Sequence, residues 1–132
     1  MKKIISFALI IASLLVFSSC KNELSLERTE KNLKEAGYIV NVISSEKDCD
    51  NAKTTIEIMM SIKLDGKILG VVSATTSQKQ VELVSFELES DAKKYYDILI
   101  KTGSEAQIAN TEQIGSFVIM ANNPESLEIA KK

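Results

Sequence analysis

Histidine and tryptophan are missing from this 132-residue chain altogether, proline occurs once and cysteine twice. Without histidine there is no imidazole to act as general base or metal ligand, so triads built on histidine are excluded. The five glycines stand singly at 37, 66, 70, 103 and 115 and form no phosphate-cradling loop, which leaves no visible nucleotide site. Arg28 is the one arginine among sixteen basic residues, and eighteen acidic residues outweigh them. An acidic chain with no basic run is a poor partner for nucleic acid.

Apolar length is concentrated at one place. Met1, Lys2 and Lys3 make a positive start, and Ile4 to Phe17 follow without a charge. That is the layout of a signal peptide. As a helix these fourteen residues would reach roughly 21 Å, short of the ~30 Å hydrocarbon core that a permanent membrane span must cross. The run closes on "FSSC", which resembles the lipobox of bacterial lipoproteins: an apolar residue, two small residues, then the cysteine that receives a diacylglycerol and becomes the first mature residue. Phe17 stands where leucine is usual. The resemblance implies removal of residues 1–19, a lipid on Cys20 and a short tether over 20–25. It places the protein on the extracytoplasmic side of the cell membrane. Lys21 after the cysteine is no inner-membrane retention signal, so in a two-membrane bacterium the outer membrane is open to it. Two acyl chains anchor stably where one binds marginally.

Residues 20–132, 113 in all, carry 14 basic and 18 acidic side chains, a length suited to one domain over 26–132. With Cys20 lipidated, Cys49 has no intrachain partner, so no disulfide framework holds the domain. Stability has to come from the core.

Ser25 caps a helix to about Ala36, with a thin stripe of Leu26, Thr29, Leu33 and Ala36, and Gly37 stops it. "YIVNVIS" is a strand and "SEKDCDNAK" a polar loop. "TIEIMMSIKL" alternates, with Ile56, Ile58, Met60, Ile62 and Leu64 on one side, and reads as a half-buried strand. "DGK" at 65–67 turns it into "ILGVVSAT", and "VELVSFEL" follows as another strand. Ser90 caps the helix "DAKKYYDILIK", whose inner face is Leu88, Ala92, Tyr95 or Tyr96, and Leu99. "SEAQIANTEQ" fits no single pattern, "IGSFVIMA" is a strand, and Asn123 caps a last helix opened by Pro124. The expected fold is α+β, a two-layer sandwich of a mainly antiparallel sheet of about five strands with helices, in the order α-β-β-β-β-α-β-α. The 25 residues 89–113 are long enough for a crossover that sets the last strand parallel to its predecessor. The pieces "EAGYIV" and "FELESDAKKYY" are similar to parts of small, uncharacterised bacterial lipoproteins, a resemblance that brings no functional residues with it.

Candidate chemistry is sparse. Ser61 and Lys63 on one strand face form a Ser-Lys pair, but Glu57 beside them favours charged lysine. Glu87 and Glu89 form a carboxylate pair at a strand end, where a solvated junction is the plainer reading. Glu46, Asp48 and Asp50 supply oxygen ligands of the kind Ca²⁺ accepts, without the spacing of an EF-hand loop. The two aspartates flanking Cys49 raise its thiol pKa and make it a poor thiolate. "ILGVVSA" and "IGSFVIM" are apolar on both faces, and three helices are few to cover both sides of such a sheet. The expectation is an apolar interaction patch around Met59 and Val71 that self-association or a membrane-proximal protein would bury; if the first and last helices cover that face, the chain is a monomer. Three function classes follow: a membrane-anchored binding or interaction module without enzymatic activity or cofactor, an inhibitor-like or stress-related envelope protein, and a thiol-dependent enzyme using Cys49.

Overall fold

The computed structural model describes residues 24–132. The chain is an α+β protein built on a five-stranded, antiparallel sheet. Helix α1 spans Leu26–Glu35, strand β1 Ile39–Ile43, helix α2 Glu46–Met60, β2 Ile68–Thr75, β3 Gln80–Phe86, α3 Glu89–Thr102, α4 Glu105–Ala109, β4 Thr111–Ile114, β5 Phe117–Ala121 and α5 Pro124–Lys131. The strands lie in the order β1-β2-β3-β5-β4.

The ends of α1 and α5 are set by local chemistry. Ser25 Oγ accepts the Arg28 N–H at 3.1 Å, and Gly37 at φ 91 provides the left-handed exit. Asn123 accepts the Ser126 N–H at 2.8 Å, with Pro124 opening α5. Leu24, in the expected tether, is 6% exposed and belongs to the core, so the domain includes it.

The expected strand over 55–64 is instead the second half of α2 and the turn after it, and the expected loop 45–53 is the helix's first half. Ser45 Oγ accepts the Asp48 N–H at 3.2 Å, and Glu46 and Asp48 sit in the first turn, where the helix dipole favours negative charge. Cys49, Ala52, Ile56 and Met60 then recur every three or four residues and face the sheet. Ile56 and Met60 satisfy both periods, which is why alternation also fits; Ile58, about 200° around the helix from Ile56, is 73% exposed. Ser61, in the left-handed region at φ 54, ends the helix. No hairpin forms at Asp65 to Lys67. β2 instead pairs with β1 on one side, in antiparallel register from Ile39 opposite Thr75 to Ile43 opposite Val71, and with β3 on the other.

Two further elements differ from the pattern reading. The N-cap of α3 is Leu88, without a side-chain cap bond, and Ser90 lies inside the helix. "IGSFVIMA" is the end of β4, a turn at Gly115 with φ 60, and β5. The extra strand β4 reverses the chain before β5, so β5 runs antiparallel to β3 rather than parallel to it.

Helices cover both faces of the sheet, which makes three layers rather than two. Leu33 of α1 and Leu127 of α5 pack on Val72, Leu83 and Ile119 of one face; Cys49 of α2 and Tyr95 of α3 pack with Val71, Val84, Phe86 and Val118 of the other. A bulge between Ile68 and Gly70 turns Ile68 onto the α2/α3 side with Val71. A Cβ at Gly70 would lie 2.2 Å from Leu26 Cδ1, so glycine lets α1 sit here without displacing the Leu26 side chain. Tyr38 Oη and Ser126 Oγ share a buried hydrogen bond of 2.6 Å, and Thr29 Oγ1 donates to the Ala130 carbonyl at 3.3 Å, tying α5 to the first helix-strand unit.

Candidate functional site

On the α2/α3 side the sheet presents two rows with different chemistry. The cross-strand pairing aligns Ile43, Val71, Val84 and Val118 in one row, and Asn41, Ser73, Glu82 and Met120 in the next. Side chains on alternate residues share a face, so each row is continuous across the strands. The first row is buried beneath the helices at Val71, Val84 and Val118, with Val71 and Val84 at the edge of the cleft described next. The second forms part of a cleft between α2 and α3.

That cleft has a volume of about 750 Å³. Ile56, Met59, Met60, Thr55 and Asn51 of α2 make one wall, Tyr95 of α3 another, and Ser73, Glu82, Val84 and Met120 the floor. Glu82 is its most unusual member. The only hydrogen bond to its carboxylate among the described residues is a long one, 3.4 Å from Ser73 Oγ. Burial pushes its pKa up, and the serine bond only partly opposes this. Tyr95 is raised well beyond the ordinary phenol range, first by burial and then by the nearby Glu82 charge. The ring of Tyr95 is fixed against Phe86, with centroids 5.6 Å apart.

The raised pKa of Glu82 has a stability consequence with a definite sign. Because its folded pKa lies above its unfolded one, the folded chain holds the proton more tightly between the two values. Its contribution is therefore fully present below the ordinary carboxylate range and is lost as pH rises through the raised folded value. Glu82→Gln is expected to be more stable than wild type near pH 8, with the gain shrinking to nothing toward roughly pH 4. Thermal melts at both pH values measure it, and a variant less stable at pH 8 would show that the charged carboxylate is well solvated.

The structure distributes the sequence candidates unevenly. Met59 and Val71 both line the cleft, Met59 from the rim of α2 at 71% exposure and Val71 from β2 beneath it, although the strand face on which the sequence reading set Met59 does not exist. Asp48 also reaches the cleft lining, while Glu46 and Asp50 do not. All three lie on the first turns of α2 rather than on a loop. Among the described residues no group of three or more metal-ligating side chains forms. Cys49 is buried on the sheet-facing side of α2, and its thiol pKa is raised first by burial and then by Asp48 and Asp50. Ser61 is an exposed helix end and Lys63 is exposed beyond it. Glu87 accepts the Lys67 N–H at 3.1 Å, and Glu89 begins α3. Cys20 lies outside the described residues, and no helix among those described is long and apolar enough to cross a membrane.

Glu82 and Ser73 were not singled out in the sequence, and Tyr95 was expected only on the inner face of its helix. The available signal was Glu82 itself, the one acid in a strand whose other residues are apolar except Gln80 and Ser85. No protein-family model, curated protein or solved structure matches the chain.

Proposed function

We propose that this chain is a binding module of the cell envelope, held at the membrane by lipid on Cys20, with the cleft between α2 and α3 as its ligand site. The anchor rests on the sequence: a charged start, an apolar run too short to span, and "FSSC" in order. One observation carries the site: an open cleft of about 750 Å³ in which a half-buried carboxylate and a tyrosine face mainly apolar walls. Small-molecule sites commonly occupy about 300–1,000 Å³ with few polar groups on an apolar lining. The module works by holding a ligand close to the bilayer.

Two measurements test the two halves separately. Wild type should fractionate with membranes and carry the mass of a diacylglyceryl cysteine, whereas Cys20→Ser should be released or remain unprocessed; an unmodified wild-type mass ends the anchor half. For the site, the full chain in phosphatidylcholine nanodiscs is titrated calorimetrically with 4-phenylbutanol, with empty discs subtracted. Thr55→Trp, which adds bulk at an exposed position on the cleft wall, is expected to weaken binding at least tenfold. Equal binding by wild type and variant would take the cleft out of the mechanism.

A further inference from the structure

The ionisable groups facing the cleft are Glu82 from the floor, Asp48 from α2 and Tyr95 from α3; among the described residues no lysine or arginine lines it. Its charge is thus of one sign, set in a mostly apolar surface. Glu82 is hemmed in by burial yet only weakly hydrogen-bonded, with a single 3.4 Å contact from Ser73. A carboxylate in such a place gains little from its own protein. It has much to gain from a cation that arrives with its own donors, because charge-assisted hydrogen bonds are shorter and stronger than neutral ones and are stronger still away from bulk water. The side chains around it are suited to the rest of such a ligand. Met59, Met60 and Met120 are flexible thioethers that adapt to apolar bodies, and Tyr95 offers a ring to the positive charge.

We infer that the cleft takes a small organic cation: an apolar body lying along the methionines, with one ammonium group paired to Glu82. The volume favours a small molecule over a protein surface, since a stable protein partner needs an interface of at least about 1,000 Å², not a pocket. An anionic amphiphile is disfavoured, because its head would meet Glu82 and Asp48 with no basic group to balance them. This inference rests on the cleft being the ligand site, and its test separates the two.

Three ligands of one shape but different charge decide it: 4-phenylbutylamine, 4-phenylbutanol and 4-phenylbutanoate, each titrated into the full chain in phosphatidylcholine nanodiscs at pH 7.5 with empty discs subtracted. The amine is expected to bind at least tenfold more tightly than the alcohol, and the carboxylate more weakly than either. Glu82→Gln keeps the shape and should bring the amine's affinity to within about twofold of the alcohol's in the same variant. The alcohol arm reports whether the variant's cleft is intact. Alcohol binding with no preference for the amine, or a preference that survives Glu82→Gln, overturns the cation and leaves the cleft as a site. Failure of all three ligands to bind overturns both.

Discussion

Replacing Asp91 by alanine is expected to lower the unfolding free energy by about 3 kcal/mol, as hydrogen bonds to a charged group contribute about 1.5–3 kcal/mol each and orphaned buried donors add a desolvation cost. Asp91 is wholly buried at the start of α3, and it spends both carboxylate oxygens on one turn: Oδ1 accepts the Asp65 N–H at 3.0 Å and Oδ2 the Gly66 N–H at 2.7 Å. Lys94 Nζ stands 3.5 Å from Oδ1 and supplies the counter-charge. The aspartate therefore joins the loop entering β2 to the helix leaving β3. Alanine strands two backbone donors, the buried Gly66 N–H and the partly buried Asp65 N–H. Asparagine keeps one acceptor but presents an NH₂ group to the other amide, so it should recover less than half of the loss. Urea titrations of both variants measure this; a loss under about 1 kcal/mol for Asp91→Ala would mean that water reaches the turn and replaces the carboxylate.

The second large effect separates the two readings of residues 55–64. Leu83→Ala should cost about 2–5 kcal/mol, because the side chain is 1% exposed in the core between the sheet and α1/α5 and its loss leaves a cavity. Ile58→Ala should change stability by no more than about 0.5 kcal/mol, since this side chain stands in water on the far side of α2. Alternation alone gives the opposite expectation for Ile58, as a core residue of a half-buried strand. Equal, large losses for both variants in urea would restore the strand and remove α2, and with it the cleft wall.

A helix at α2 also resolves a shortage visible in the sequence. "ILGVVSA" and the β5 segment are apolar on both faces, and three helices could not cover two faces of a five-strand sheet. The element that does so was hidden in the chain's clearest alternating pattern. Interior strands β2, β3 and β5 are buried on both sides because α2 and α3 lie opposite α1 and α5. The cleft is what remains where α2 and α3 do not meet over the row from Asn41 to Met120.

By itself the sequence determined what short-range chemistry controls. Serine and asparagine caps, a proline at the first helical position and a glycine after the last turn act within a few residues, so α1 and α5 were legible from Ser25, Gly37, Asn123 and Pro124. The strands at β1, β2 and β3 were legible for the same reason, as β-branched runs between polar turns. Tertiary structure decided the rest. Period 2 and period 3.6 both pass through Ile56 and Met60, and only packing of the Cys49–Ala52–Ile56–Met60 stripe on the sheet chose between them. The strand order, the three layers and the meeting of Glu82, Tyr95 and Met59 at one cleft depend on residues far apart in the chain. No local pattern encodes them, because the energy that selects them is burial between elements rather than conformation within one.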